Sequence, residues 1–291
     1  MQLRRYTGFD GLELAAEVGG DPARQPLILL HGGGQTRHAW GRAAREFVSA
    51  GYQVICLDLR GHGESGWAAD GNYRLDAFAS DLLAVMETLE RAPVLIGASM
   101  GGGTALLVTG ESAPGTVAGL VLVDVVPRPE PEGVRNIYAF MSARPEGFAN
   151  LDEVADAVAA YNPHRPRPDG YAGLMKNLRK RPDGRLQWHW DPKLITPEHR
   201  LDPEEYHLRL EAAARRVSVP SLLVRGAMSD IVSVESALAL QRTIAGCELV
   251  DVAGAGHMVA GDRNDVFNGA IREFLERRVG HPSVGRTGQS R

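Results

Sequence analysis

Short apolar runs that recur along the chain and end near glycine or aspartate limit its possible folds more than any other feature. They read PLILLHG, YQVICLDL, APVLIGAS, VAGLVLVDV and VPSLLVRG. Most are separated by amphipathic stretches whose apolar residues recur every three or four positions, as one buried helix face requires. Continuous apolar runs of this length are typical of parallel strands that are covered on both faces. The pattern therefore predicts an α/β domain.

Two other regions add to this plan. At the start, the turn residues FDG between LRRYTG and LELAAEV predict an antiparallel hairpin. Between VLVDVV and VPSLLVRG lie about ninety residues without a buried-strand pattern, far more than an α/β connection needs, which indicates a mostly helical cap. Its last stretch, PEEYHLRLEAAARRV, is predicted to return to the main sheet as a covering helix. We predict a core domain over residues 1–126 and 218–278, a cap over 127–217, and a flexible tail over 279–291.

The charge balance and the cysteines limit the class of protein. With 32 basic and 36 acidic residues the formal net charge is −4, which gives no electrostatic reason to expect nucleic acid or an anionic membrane as partner. Cys56 and Cys247 lie in apolar segments, as buried free thiols of a reducing compartment do. No apolar run is long enough to cross a bilayer. We expect a cytoplasmic monomer or homodimer that acts on a small molecule.

The stretch VLIGASMGGG contains a candidate nucleophile. Ser99 follows an apolar strand and precedes a helix that begins near Met100. A strand that turns directly into a helix leaves no room for side chains two residues before and after the bend, so Gly97 and Gly101 fit a nucleophile elbow. The alternative is a glycine-rich helix start in which Ser99 is a cap. The strand before it and the helix after it favour the elbow.

A serine hydroxyl needs an imidazole base and a carboxylate that orients the imidazole. His257 lies in a glycine-rich loop just after the last predicted strand, and it is the best placed of the nine histidines. Asp230, after the preceding strand, is our candidate for the orienting carboxylate. Asp124 also ends a strand and remains the rival; its other reading is a carboxylate that bonds loop amides.

In the segment LILLHGGGQTRHAW, the turn after the strand PLILL lies where folds of this kind place a donor for a negative oxygen. We nominate the amides of Gly33 and Met100 for this role. His31 is interpreted as structural. In LDLRGHGESGW, the residues Asp58, Arg60 and His62 are interpreted as a network that braces this loop. No residues occur at metal-ligand spacing, so we expect no metal or cofactor.

Taken together, HGGGQTRHAW, DLRGHGES, GASMGG, GAMSD and GAGHM resemble the α/β hydrolase superfamily over about the first 277 residues. The resemblance implies an eight-stranded, mostly parallel sheet with a helical cap inserted after the sixth strand. It also implies Ser99 as nucleophile, Asp230 as acid and His257 as base. The chain looks like the capped branch, which includes epoxide hydrolases, haloperoxidases and carbon–carbon bond hydrolases. Epoxide hydrolases use an aspartate nucleophile where this chain has Ser99, and carbon–carbon hydrolases often have tryptophan where Met258 stands.

These features predict a serine hydrolase that cleaves a small or medium apolar carboxylic ester or lactone through an acyl-enzyme. One alternative is cleavage of a carbon–carbon bond in a diketone, in which an Arg or His of the cap or of the loop around Gly33, such as Arg37 or His38, binds an acidic tail of the substrate. Another is a non-catalytic small-molecule receptor on the same fold. The predicted substrate-binding residues combine a loop glycine with apolar and aromatic side chains, namely Gly34, Trp40, Tyr138, Trp188, Trp190 and Met258.

Overall fold

A computed structural model describes residues 1–161, 171–196, 203–257 and 264–280. Within these ranges the chain forms ten strands: β1 Gln2–Thr7, β2 Glu13–Gly19, β3 Pro26–Leu30, β4 Gln53–Leu57, β5 Val94–Ala98, β6 Gly119–Val123, β7 Leu178–Lys180, β8 Leu186–Trp188, β9 Ser221–Gly226 and β10 Glu248–Val252. The α-helices are α1 Gly41–Ser49, α2 Leu75–Met86, α3 Ser99–Glu111, α4 Pro131–Ser142, α5 Leu151–Tyr161, α6 Ala172–Met175, α7 Pro203–Ala214, α8 Val234–Thr243 and α9 Asn264–Phe274. Short 3₁₀ turns occur at Arg37–Trp40 and Pro192–Ile195, and a π-helical turn at Leu275–Val279 follows α9.

Eight of the strands form one sheet in the order β1-β2-β4-β3-β5-β6-β9-β10. The first two strands form the predicted hairpin, and β2 is also antiparallel to β4. The other neighbours are parallel. This confirms the predicted eight-stranded, mostly parallel sheet. Because β5, β6, β9 and β10 run in one direction, the loops that follow them meet at the same edge.

The central strands are covered on both faces, as their continuous apolar runs predict. In β3, Ile28 and Leu30 face the apolar cluster formed with α2, α3 and α8, whereas Leu27 and Leu29 face the cluster formed with α1 and α9. Successive strand side chains point to opposite faces, so a strand between two layers of helices is apolar at every position. Each of these four side chains is fully buried.

The inserted segment has its own small core. It lies between β6 and β9 in the chain and contains α4, α5, α6 and the two-stranded β7-β8 sheet. Its buried apolar side chains are Met141, Phe148, Val154, Ala155, Leu174, Trp188 and Trp190. No helix in the described ranges is long and apolar enough to span a membrane.

The last helix of the insertion, α7, packs on α3 and belongs to the core of the main sheet. Leu210, Ala213 and Ala214 of α7 lie in the same cluster as the buried side chains of α3. This is the return to the sheet that the sequence predicts. The predicted cap of residues 127–217 therefore ends with a helix whose contacts are those of the core domain.

The α3–α7 contact depends on Gly110. A Cβ atom at this position would lie 2.2 Å from the backbone oxygen of Ala213. We expect Gly110→Ala to lower the free energy of unfolding by about 1–3 kcal/mol, since the helices must separate. The matched control is Gly269→Ala in α9, where nothing lies within 4 Å of the new atom. That change should stabilise the protein by about 0.5–1 kcal/mol. Urea denaturation measures the free energy of unfolding of both variants. An equal change in the two variants would contradict the requirement for glycine at position 110.

Candidate active site

Ser99 lies at a sharp bend between β5 and α3. Its φ angle is 46°, an uncommon left-handed conformation for a residue with a side chain. A Cβ atom at Gly97 would lie 2.4 Å from the backbone oxygen of Gly101, and one at Gly101 would lie 2.5 Å from that of Leu30. Both distances are too short for any side chain. The bend therefore requires glycine at these two positions, as the elbow interpretation predicts.

Asp124 occupies the corresponding position on the neighbouring strand. Ala98 at the end of β5 pairs with Val123 at the end of β6, so Ser99 and Asp124 follow paired residues. Adjacent strands lie about 5 Å apart. Asp124 also has a positive φ angle, 47°, and its side chain is completely buried. Two strained residues therefore lie side by side at one edge of the sheet, which is typical of a functional site.

Three donors from other loops hold the Asp124 carboxylate. Its Oδ1 accepts the Gly226 N–H at 2.9 Å. Its Oδ2 accepts the Ser229 hydroxyl at 2.5 Å and His257 Nδ1 at 2.7 Å. A buried carboxylate is costly unless it is bonded in this way. Because Nδ1 of His257 donates to the carboxylate, the ring has Nε2 as the nitrogen that can take a proton.

The prediction that Asp230 orients His257 is wrong. Asp230 is exposed, and Asp124 makes the hydrogen bond instead. The physical reason lies in the turn after β9, where the Ser229 N–H donates to the Gly226 oxygen at 3.0 Å. In this turn the Ser229 hydroxyl faces the strand ends and bonds Asp124, while the next side chain points to solvent. The rival carboxylate of the sequence analysis is the one that the structure brings to the histidine.

The loop after β3 passes beside the elbow. A Cβ atom at Gly32 would lie 3.3 Å from the Cβ of Ser99. The N–H groups on either side of Gly33 are bonded within the protein: that of Gly32 donates to Gln35 Oε1 at 3.0 Å, and that of Gly34 donates to His62 Nε2 at 3.2 Å. Met100 is the second residue of α3, among the first four N–H groups that a helix cannot pair by itself. The arrangement keeps both predicted donors close to Ser99.

A buried polar network supports this loop. His31 Nδ1 donates to the Gly32 oxygen at 2.8 Å, and its Nε2 accepts the Leu59 N–H at 3.0 Å. Asp58 accepts the backbone N–H of Arg37 at 2.6 Å and also binds the Arg37 guanidinium. Both side chains are buried, at 0% and 5% exposure. The structural interpretation of His31 and Asp58 is thereby confirmed.

The loop that contains Arg60 and His62 completes the network. Arg60 is fully buried and binds Asp81 through Nε at 2.7 Å and Asp10 through Nη1 at 3.1 Å. His62 Nδ1 donates to the Arg60 oxygen at 3.0 Å, which leaves Nε2 to accept from Gly34. The guanidinium fixes the loop, and the loop fixes His62. These contacts confirm the bracing role that the sequence predicts.

A third histidine, His189, joins His31 and His62 in a row. The ring centres of His31 and His62 are 5.0 Å apart, and those of His62 and His189 are 5.8 Å apart. Burial lowers the pKa of His31 to about 4 and that of His62 to about 3. Burial also lowers the pKa of His189 well below its ordinary range. All three rings are therefore neutral at pH 7.

Because these histidines are neutral in the folded protein, we predict that acid destabilises the fold at a pH above the range in which carboxylates titrate. On unfolding, each ring regains its ordinary pKa of 6.5, so the unfolded chain binds more protons between pH 6.5 and about 4. The free energy of unfolding should fall as the pH is lowered through that window, by up to about 1.4 kcal/mol per pH unit for each ring. Urea denaturation at pH 7, 6 and 5 measures the slope, which His189→Gln should reduce. A constant free energy over this range would contradict the prediction.

The predicted aromatic residues occupy different environments. Trp40 is 1% exposed and packs under the sheet, with its ring 6.0 Å from that of Phe267, so its predicted role in substrate binding is wrong. The side chain packs among apolar residues of α1 and α9 in the cluster on this face of the sheet. Trp188 and Trp190 stack with ring centres 5.0 Å apart. Trp188 lies in the core of the inserted segment, and Trp190 reaches Gly34, where an added Cβ would meet its ring at 3.4 Å.

The structure describes only some of the remaining residues that the sequence predicts to bind substrate. Met141, which the sequence analysis did not select, lies over the loop: its sulfur would be 4.0 Å from a Cβ at Gly33. Tyr138 is half-buried on α4. Tyr206 of α7 lies near it, and burial raises the pKa of the Tyr206 hydroxyl to about 12. Met258 lies outside the described residues. Met141 and Trp190 thus provide an apolar surface beside Gly33 and Gly34.

The two cysteines are buried and free, as the sequence predicts. Cys56 and Cys247 are free and buried. Burial raises the pKa of the Cys247 thiol to about 11, so it is an unreactive thiol at neutral pH. Among the residues that the structure describes, no group of three or more His, Cys, Asp or Glu side chains could hold a metal ion.

Sequence reasoning missed two contributors, His189 and Ser229. His189 lies in the stretch QWHWD, directly after β8, where continued alternation of extended chain places its side chain opposite to the two tryptophans. A histidine between two large apolar residues of an extended segment is a signal that its ring faces a different, polar surface. Ser229 precedes the carboxylate that sequence reasoning favoured, and its hydroxyl occupies the inward position.

Comparison with known proteins places the chain in a family. The model of the alpha/beta hydrolase fold family matches residues 25–263. The chain therefore belongs to the alpha/beta hydrolase family. An alpha/beta hydrolase from Novosphingobium aromaticivorans has the same fold with a TM-score of 0.81 and 27% identity, over 95% of this chain and 98% of the other.

Curated relatives include enzymes with several activities. An esterase of Mycobacterium tuberculosis is 30% identical over 91% of this chain and 86% of its own length. Its structure superposes with a TM-score of 0.74 over 94% of this chain and 92% of its own. A 3-hydroxybutyrate-oligomer hydrolase of Cupriavidus necator is 32% identical over 82% of this chain and 84% of its own. A non-heme chloroperoxidase of Burkholderia pyrrocinia is 29% identical over 93% and 98% of the two chains.

Proposed function

We propose that the protein is a serine hydrolase that cleaves a carboxylic ester with a small or medium apolar acyl group. The observation that carries the proposal is the hydrogen bond of 2.7 Å from His257 to the buried Asp124, beside the strained bend that holds Ser99. A serine, a histidine and a buried carboxylate at the ends of neighbouring strands are the set needed to activate an alcohol as a nucleophile.

The reaction follows from these positions. Ser99 attacks the ester carbonyl while His257 takes its proton through Nε2, and the protonated ring then gives the proton to the departing alcohol. Asp124 keeps the ring in the required tautomer and stabilises its positive charge. The Gly33 and Met100 amides receive the negative oxygen, at a helix N-terminus that favours an anion. Water then repeats the sequence and releases the acyl group.

Two lines of support indicate the kind of substrate. Met141 and Trp190 place an apolar surface next to the loop of Gly33, which suits an aliphatic acyl group. The relatives named as an esterase and as a 3-hydroxybutyrate-oligomer hydrolase support ester hydrolysis. We extend this proposal to lactones, because a cyclic ester presents the same carbonyl to the same groups.

The two residues named as examples for carbon–carbon bond cleavage, Arg37 and His38, both pair with carboxylates of the protein. Arg37 is 4% exposed and its guanidinium binds Asp58 and Glu64, so it has no charge available for an acidic substrate. His38 lies 3.7 Å from the carboxylate of Glu17 in β2. Neither side chain supports the diketone hypothesis.

A substrate panel tests the proposal. The panel contains 4-nitrophenyl acetate, butyrate and octanoate, a γ-lactone and a vinylogous diketone. We expect turnover of the shorter aryl esters and no turnover of the diketone. Ser99→Ala, purified in parallel, controls for contaminating esterases. Turnover of the diketone without turnover of any ester would overturn the proposal, and so would activity that persists undiminished in Ser99→Ala.

A further inference from the structure

One buried side chain of the inserted segment makes a hydrogen bond to the loop beside Ser99. His189 follows β8 and is 2% exposed. Its Nδ1 accepts the Gly63 N–H at 2.7 Å, so this nitrogen carries no proton. The neutral ring therefore carries its proton on Nε2, which donates to the Gly34 oxygen at 3.3 Å. The bond to Gly63 thus fixes the tautomer that the bond to Gly34 requires.

Gly34 is held from both sides. Its N–H donates to His62 of the core domain at 3.2 Å, and its oxygen accepts from His189 of the inserted segment. Gly34 has a φ angle of 73°, in the region that favours glycine. Residues 32–34 are three consecutive glycines, whose backbone has more freedom than that of any other residue type. Hydrogen bonds from residues outside the loop must therefore select one of its conformations.

The segment that carries His189 is itself fixed to the core. Asp191 donates its N–H to the Gly61 oxygen at 2.9 Å, and its carboxylate accepts the Tyr73 hydroxyl at 2.5 Å. Arg179 of β7 donates to the Gly63 oxygen, the same residue whose N–H bonds His189. These contacts hold the imidazole in place, so that it acts as a rigid brace between two parts of the fold.

We propose that His189 is a positioning residue that couples the inserted segment to the oxyanion loop, by holding Gly34 so that the Gly33 amide points at the carbonyl oxygen under attack. This inference rests on the proposed function. The contribution is to the transition state rather than to substrate binding, because the oxygen becomes negative only during the reaction. Loss of the bond to Gly34 should therefore lower kcat and leave KM nearly constant.

Two substitutions of His189 test the two hydrogen bonds of its imidazole separately. In His189→Gln the side-chain amide can reach the position of Nε2 and donate to Gly34. In His189→Asn the shorter side chain can accept from Gly63 but does not reach Gly34. With 4-nitrophenyl butyrate we expect His189→Asn to lower kcat on the order of tenfold to hundredfold, with KM changed less than about threefold. His189→Gln should restore kcat to within about threefold of the wild type.

Val154→Ala is the matched control. Val154 is fully buried in the core of the inserted segment, and its apolar side chain has no group that could form a hydrogen bond with the loop. It should lower the melting temperature without lowering kcat. An equal loss of kcat in His189→Gln and His189→Asn would overturn the proposal. A comparable loss in Val154→Ala would also overturn it, because general loosening of the segment would then explain the effect.

Amide hydrogen exchange tests the coupling without any substrate. In the wild type, the Gly34 N–H should exchange slowly because it is bonded to the buried His62, and His189→Asn should speed its exchange at least about tenfold. Fast exchange at Gly34 in the wild type would overturn the proposal even if His189→Asn did not fold. If the wild type hydrolyses no ester, the proposed function fails while exchange still tests the coupling. If the wild type hydrolyses esters and the two His189 variants have the same kcat, the proposed function stands and only the proposed coupling is contradicted.

Discussion

Ser99→Ala should abolish ester hydrolysis, with kcat reduced on the order of 10⁵-fold or more. The reason is that the acyl group has no acceptor once the hydroxyl is removed, and only binding and the backbone donors remain. The fold should be retained, because alanine can replace serine at the bend and the steric requirement lies at Gly97 and Gly101. Initial rates with 4-nitrophenyl butyrate, compared with circular dichroism of the same sample, measure this effect.

Ser142→Ala is the matched control for that substitution. Ser142 is exposed at the end of α4, and its hydroxyl donates to the Tyr138 oxygen within the helix. Its removal should leave kcat within about twofold, since substitutions away from a site have small effects. Residual activity of Ser99→Ala above a few per cent of the wild type would contradict the assignment of the nucleophile.

Asp124→Asn should lower kcat on the order of 10⁴-fold, and Asp230→Asn should change it less than about threefold. The amide at position 124 can present a donor to His257 Nδ1, which favours the wrong tautomer and removes the negative charge that stabilises the protonated ring. Asp230 is exposed and lies outside this contact, so its charge is screened by solvent. Steady-state kinetics of the two variants at pH 8 make the comparison.

The two aspartates are a matched pair for this purpose. Each substitution exchanges one oxygen for an NH₂ group and removes one negative charge, so differences in size and charge cannot explain a difference in rate. The unfolding free energy of Asp124→Asn is measured beside kcat, because the Gly226 and Ser229 donors also depend on this carboxylate. A large loss in Asp230→Asn with normal activity in Asp124→Asn would contradict the structure of the site.

Most of the fold follows from the pattern of the sequence. Five-residue apolar strands such as β3 and β6 can be satisfied only between two layers of helices, so their recurrence defines the sheet. The long stretch without such strands defines the insertion. Its internal packing could not be predicted, because short elements such as β7 and β8 have too few residues to show a period. The close approach of α7 to α3 at Gly110 also depends on contacts between distant segments.

The site was predictable where local sterics decide it and not where tertiary contacts decide it. The glycines around Ser99 are required by the bend itself, and the motif contains them. The choice between Asp124 and Asp230 depends on which way a turn directs its side chains, and two carboxylates at strand ends look alike in the sequence. Trp40 follows the glycine-rich loop by only a few residues, yet the 3₁₀ turn that contains it carries its ring under the sheet.

The most direct test of the account is reaction with a fluorophosphonate, followed by mass spectrometry of the intact protein and of its peptides. We expect one adduct in the wild type, on the peptide that contains Ser99. We also expect labelling slowed on the order of a hundredfold or more in Asp124→Asn and unchanged in Asp230→Asn. Absence of an adduct in folded wild-type protein, or an adduct on another residue, would contradict the claim that Ser99, His257 and Asp124 act as one unit.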